Sequence, residues 1–342
     1  MSELIFPVAA FALTFVVLIP VLSALSFGLL ALQRRRTREW SAFGSIGNLA
    51  LLVGPTVLPV AWLLSSAFHQ SEAAQNHDAC LLEHGITSTC IDAILLLGMI
   101  AIWSLTVIGR TWHRDWSGQA HANLDALTNE SAARVQGLSD TNAALRGLRI
   151  VVVAGAPDPV FVTGVIRPRV VVDAAFVQAV DDDVLLAALL HEQAHVRHMD
   201  TLLGFILRIC LAANPARRLL SPDARRWLNA REALCDQAAV IGGGAPLALA
   251  QGLVQALRLR NTSAMNPQAL ALCGRPHTEL RLRIALLMNG FHTADLKRQR
   301  NSAPWTLLIL LTAATLAPHI DGYGLLEHFH LMVEQGVHSL GN

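Results

Sequence analysis

The sequence predicts an α-helical membrane protein with four transmembrane helices and an α+β domain on one side of the bilayer. Hydrophobic residues make up 53% of the chain and charged residues only 15%, well below the roughly 25% charged fraction of soluble domains. Four uncharged stretches, residues 5–32, 41–68, 93–109 and 303–319, approach or exceed the roughly 20 helical residues that a bilayer requires. The basic residues around these stretches then fall on a single side of them.

The first stretch has no basic segment before it and is too long for a cleavable signal, so it reads as a span. Arg34, Arg35, Arg36 and Arg38 fill the loop that follows. Arg110 and Arg114 follow the third stretch, and Lys297, Arg298 and Arg300 precede the fourth. Residues 1–4, 69–92 and 320–342 contain no lysine or arginine. The positive-inside rule makes the basic side cytoplasmic, which puts both termini outside. The expected organisation is three spans in residues 1–110 with an outer loop at 69–92, and a cytoplasmic domain at 111–302. A fourth span at 303–319 and a short outer tail at 320–342 complete a multi-pass protein of the inner cell membrane.

A formal net charge of +1 gives no electrostatic reason to expect direct nucleic-acid binding. The lipid bilayer is the partner that composition implies. Cys80 and Cys90 share the outer loop, where an oxidising compartment would permit a disulfide. Cys210, Cys235 and Cys273 fall on the inner side and are expected to stay reduced.

Within the inner domain, the polar, Ala-rich residues 121–146 predict a helix. Residues 148–154 are rich in β-branched side chains and predict a strand, ended by the turn Pro157-Asp158-Pro159. Residues 160–163 and 169–172 predict two more short strands. Residues 181–198 predict a helix whose three leading aspartates suit a positive helix N-terminus. Residues 202–213 predict an apolar helix, either core or against the membrane. Residues 224–241 predict a helix closed by Gly242-Gly243-Gly244. Residues 245–260 and 280–288 predict two more.

The chemistry sits in the helix predicted at 181–198, which contains His191-Glu192-Gln193-Ala194-His195. Residues four apart share a helix face, so both imidazoles can grip one metal ion, and Glu192 between them can reach a water molecule there. This is the H-E-x-x-H arrangement of zinc peptidases. Glu232 supplies a third ligand in Arg231-Glu232-Ala233-Leu234-Cys235-Asp236. Asp236 falls on the same helical face and can accept a hydrogen bond from a ligand imidazole. Away from the H-E-x-x-H helix the two carboxylates would read as an ordinary solvated pair. The inner domain is therefore expected to be a cytoplasmic α+β zincin-like metallopeptidase domain holding one Zn2+, with Glu192 as general base and a peptide or protein as substrate.

These segments resemble the BlaR/MecR family of integral-membrane zinc metallopeptidases. The resemblance rests on Val162–Val172, on His191–Asp200, on Asn214-Pro215 and on Arg231–Asp236, and it covers most of the chain. It implies a protease domain on the cytoplasmic side between the third and fourth spans. It also implies a signal-transducing role, with a transcriptional repressor as the cleaved partner. Antibiotic-sensing members carry a large outer penicillin-binding domain, which the short outer tail lacks, so covalent β-lactam sensing is not expected. More distantly, HtpX-like and prenyl-protease-type membrane peptidases share the zinc helix and a downstream Arg-Ile element that Arg283-Ile284 matches, with His277 before it.

An oxyanion formed during hydrolysis needs a further donor. His277 and Arg283 are the candidates, against the plainer readings of a surface histidine and a structural salt bridge. The strand at 160–163 is expected to pair with an extended substrate. The alternatives to a regulatory protease are a membrane-protein quality-control protease and a non-proteolytic membrane sensor.

Overall fold

A computed structural model describes residues 11–36, 41–75, 88–117, 130–262 and 276–289. The expected fourth span and outer tail lie outside these residues, as do Cys80, Cys273 and the side chain of Cys90.

A one-turn π-helix at Thr14–Leu18 leads into α1 (Ile19–Arg36), followed by α2 (Ile46–Gln75) and α3 (Ser88–Ser117). Among the described residues, Phe11–Arg35 and Ile46–Leu64 are long and apolar enough to cross a membrane, and Gly98–Thr111 is apolar but shorter. Val16, Leu25, Ile102 and Leu105 on these helices are all more than half exposed. A face of large apolar side chains suits lipid and is unfavourable against water.

The α+β body begins with α4 (Glu130–Thr141) and a 3-10 turn at Ala143–Leu145 capped by Asn142. The helix expected at 121–146 ends at Thr141, and residues 121–129 lie outside the described set. Three strands follow, β1 (Ile150–Val153), β2 (Val160–Thr163) and β3 (Arg169–Asp173). The sheet order is β1-β3-β2, parallel between β1 and β3 and antiparallel between β2 and β3, so β2 is an edge strand. Alternation along β3 serves both faces: Val170 and Val172 join the main core, while Val171 packs with Val153 and Ala156.

The Asp173 side chain accepts a hydrogen bond from Ala175 N and starts a short helix, α5 (Ala174–Ala179), beyond the elements expected from sequence. Then comes α6 (Asp182–Arg197), with Asp181 at its N-cap position and Asp182 and Asp183 in its first turn. Arg134 braces that turn, reaching Asp182 Oδ1 at 2.6 Å and the carbonyls of Val177 and Val180. The inner face of α6 buries Leu185, Leu189 and Leu190 in the main core and packs on β2 and β3.

α7 (Asp200–Ala213) lies against α2, α3 and the next helix, α8 (Arg217–Ile241). From sequence this helix is expected to start at Ala224, after Pro222. The helix instead runs through Pro222 from Arg217. Leu220, Ala224 and Trp227, spaced as one helix face, are all nearly inaccessible, and this packing outweighs the local cost of proline. α9 (Pro246–Thr262) and α10 (Pro276–Asn289) complete the described chain. α8 ends at the glycine triplet, where Gly243 adopts φ +105°. A Cβ on Gly244 would meet Ala239 O at 3.0 Å and Ala187 Cα at 3.4 Å, so glycine lets the end of α8 close on α6.

Apolar helices and α+β body share one core. Leu30, Phe43, Leu49 and Leu52 pack with Leu207, Leu220 and Trp227. Polar contacts tie the same seam. Asn214 Nδ2 donates to Ser23 Oγ at 3.0 Å and to Thr56 Oγ1 at 3.3 Å, and Thr56 Oγ1 donates to Cys210 O. Arg34 Nη1 pairs with the fully buried Asp223 at 2.8 Å, so this arginine is not a freely solvated loop cation.

Candidate functional site

The one-turn spacing in α6 sets the His191 and His195 rings edge to face with centroids 4.8 Å apart, their Nε2 atoms 3.1 Å apart. α8 crosses α6 and brings Glu232 to both. Glu232 Oε2 lies 3.6 Å from His191 Nε2, and Oε1 lies 3.6 Å from His195 Nε2. These three residues form a group able to hold a metal ion. Ligands at bond lengths of about 2.0–2.2 Å around a tetrahedral ion stand roughly 3.3–3.6 Å from one another. The observed spacings of 3.1 and 3.6 Å therefore fit a single small cation.

Each imidazole meets a carboxylate on its other nitrogen, and each carboxylate is held by an arginine. His191 Nδ1 is 2.9 Å from Asp236 Oδ1, within ion-pair distance but not aligned for a straight hydrogen bond. Asp236, almost inaccessible, receives a fork from Arg283: Nε to Oδ2 at 2.7 Å and Nη2 to Oδ1 at 2.6 Å. The third donor of that guanidinium, Nη1, reaches Glu232 Oε2 at 2.9 Å. On the other side, His195 Nδ1 is 2.9 Å from Asp200 Oδ2. Arg231 holds Asp200 Oδ1 through Nε at 2.8 Å and Nη2 at 2.6 Å.

Asp200 reaches back because Met199 adopts the left-handed conformation, φ 52° and ψ 36°, between α6 and α7. Cys235 sits behind the same imidazole, its Sγ 3.4 Å from both His195 Nδ1 and Asp200 Oδ2. Burial pushes its thiol pKa up to about 12, so it stands as a neutral packing group and weak donor.

The electrostatics follow from these contacts. Burial alone would lower the pKa of His195, but the Glu232 charge and the Asp200 hydrogen bond raise it well above the ordinary value. His191 is raised in the same way by Asp236 and Glu232. Burial would lift the Glu232 and Asp236 carboxyls, but the neighbouring imidazoles and Arg283 hold both below their usual range, Glu232 strongly so. A cluster of anions facing imidazoles favours a bound cation.

The structure brings together five residues named from sequence: His191, His195, Glu232, Asp236 and Arg283. Arg283 makes the structural salt bridges of the plainer reading, with its donors directed at Glu232 and Asp236. Glu192 is half-buried on α6 between the two histidines. His277 lies in the first turn of α10, and its side chain is outside the described residues. Sequence reasoning gave no role to Asp200 and Arg231. Both residues fall within the segments that carry the family resemblance, Asp200 five residues after His195 and Arg231 beside Glu232.

Apolar helices suited to a bilayer, joined to an α+β body with an H-E-x-x-H site, define a membrane-associated protein able to hold a metal ion. A family model described as BlaR1 peptidase M56 matches residues 3–287. The chain belongs to this family, and membership makes it a peptidase. Searches of curated proteins and of solved structures each gave no match.

Proposed function

We propose that the chain is a zinc metalloendopeptidase that cuts proteins on the cytoplasmic side of the membrane. The single observation that carries the reading is the meeting of His191, His195 and Glu232 at spacings that fit one cation. Two imidazoles and one carboxylate are the donor set of catalytic zinc, which leaves a position open for water or substrate. A zinc ion held there would polarise the scissile carbonyl and make water a better nucleophile at neutral pH.

The chain's own groups do the rest. Glu192 takes a proton from the attacking water and returns it to the leaving amine. Asp236 and Asp200 fix the imidazole orientations, so that Nε2 of each ring faces the shared point. Arg283 anchors Glu232 and Asp236. His277 keeps its place as a candidate donor to the oxyanion. Strand β2, paired with β3 on one side, is the element proposed to pair with an extended substrate.

The same proposal has four spans, both termini outside, the catalytic domain within, and Cys80 and Cys90 paired in the outer loop. Family membership favours a regulatory protease whose substrate is a transcriptional repressor. The decisive test compares new protein N-termini in cells expressing the wild-type chain or Glu192→Ala, with zinc content measured on both purified proteins. Wild-type-specific cuts in a cytoplasmic DNA-binding protein, with zinc retained in both, would support the regulatory reading. Cuts spread over many membrane proteins would replace it with quality control. Zinc in neither protein would end the metallopeptidase reading.

A further inference from the structure

The turn that joins α1 to α2 packs directly on the helix carrying Glu232. Phe43 is buried against Trp227 and Ala230 in the shared core. Trp227, 1% exposed, donates its indole N–H to Ser45 O at 3.0 Å. Gly44 lies so close to α8 that an added Cβ would meet Leu234 Cδ1 at 2.8 Å and Ala230 C at 3.2 Å. The Gly44 carbonyl accepts from Arg231 Nη1 at 3.4 Å. The turn is itself held, with Asn48 Nδ2 donating to Phe43 O and Asn48 N to Ser45 Oγ.

Arg231 thus has one guanidinium nitrogen on the turn and the other two on Asp200, whose second oxygen meets His195 Nδ1. We infer that the turn between the first two candidate spans is a positioning element for His195, acting through Arg231 and Asp200. Gly44 is the residue that sets its distance from α8. A change in how α1 and α2 pack moves this turn, and the shift reaches His195 through Arg231 and Asp200, and Glu232 directly because it follows Arg231 on α8. Core packing of this kind transmits displacement because it has few voids in which to absorb it. The inference rests on reading His195 as a metal ligand.

The test uses the full chain purified in detergent. Zinc affinity is measured by chelator competition, and the absorption spectrum of the cobalt-substituted protein reports ligand geometry. Gly44→Ala is expected to weaken zinc binding about tenfold or more, the scale of losing a group that orients a ligand, and to alter the cobalt spectrum. Ile46→Ala, at an exposed position two residues on, should change neither. Adding Leu234→Ala to Gly44→Ala relieves the closest contact and should recover affinity. In an Asp200→Asn background, where the link to His195 is already broken, Gly44→Ala should add less than about a twofold loss, because coupled residues are not additive.

Equal zinc affinity and an unchanged cobalt spectrum in Gly44→Ala would overturn the inference. So would an equal loss with and without Asp200→Asn. If Gly44→Ala does not fold, Trp227→Phe, which removes the indole donor to Ser45 together with part of a buried ring, carries the same comparison. A wild-type chain that binds no zinc would overturn the metal reading and this inference with it. A wild type that binds zinc, matched by Gly44→Ala in both affinity and cobalt spectrum, overturns this inference alone.

Discussion

His195 and Asp200 are five residues apart in sequence yet meet at 2.9 Å, Nδ1 to Oδ2, across a left-handed turn at Met199. The contact fixes which nitrogen of His195 faces Glu232. Replacing Asp200 by Asn keeps the shape but removes the charge that orients the ring and binds Arg231. Zinc affinity, measured by chelator competition, is expected to fall about 10- to 100-fold. An unchanged affinity would show that the imidazole needs no such support.

Glu192 has a different signature. Glu192→Gln leaves the proposed ligands in place and removes the proton acceptor. Peptide hydrolysis is expected to fall by about 10²- to 10⁴-fold or more, with the zinc content of the purified protein unchanged. Loss of zinc together with activity would move Glu192 from base to structural residue.

Arg283 neutralises a carboxylate that has almost no access to water. Arg283→Met leaves Asp236 buried and without its fork, a change of the kind that costs about 3–5 kcal/mol. The expected result is a large drop in melting temperature, measured on metal-free protein so that zinc cannot mask it. A variant as stable as wild type would mean that water reaches Asp236.

The pH dependence of the metal-free chain has two edges. His191 and His195 are raised, so their contribution to stability is full below their unfolded value of about 6.5 and is lost as pH rises through the folded values. Glu232, Asp236 and Asp200 are lowered, so theirs is present above about pH 4 and lost as pH falls through the folded values. Melting temperatures of the chelator-treated protein should therefore decline towards alkaline pH. Zinc competes with those same protons, so its affinity should rise over the same range. A metal-free protein that grows steadily more stable from about pH 6 to 9 would contradict the paired imidazoles.

Met199 carries the left-handed conformation without being glycine. For a side chain of this size the conformation costs about 1–2 kcal/mol. Met199→Gly removes that cost and gives part of it back in unfolded-chain entropy, so a net gain of about 0.5–1 kcal/mol is expected in a denaturant titration. A loss would show that the exposed Met199 side chain makes contacts that matter.

The parts of the site legible in the sequence were those set by helix periodicity. His191 and His195, and likewise Glu232 and Asp236, are four apart, and a helix brings each pair to one face whatever surrounds it. The strand at 160–163 was placed to the residue by its β-branched composition. What stayed hidden depends on backbone dihedrals or distant packing. Asp200 reaches His195 only through the Met199 turn, which no glycine announces. Arg34 and Asp223 meet across 189 residues. The start of α8 was obscured because Pro222 speaks locally for a break, while Leu220 and Trp227 bury themselves against helices nearly two hundred residues earlier.

Edge strand β2 is only four residues long, and β3 occupies one of its two sides. On the proposed docking, a segment paired along the side of β2 away from β3 would have to be extended over about the same length, which would select against helices and tightly paired hairpins before any side chain is read. Susceptibility to cleavage would then be a property of the victim's local looseness as much as of its sequence. A well-folded protein would be vulnerable only at its linkers, and anything that shortens or orders a linker would protect it without touching the protease.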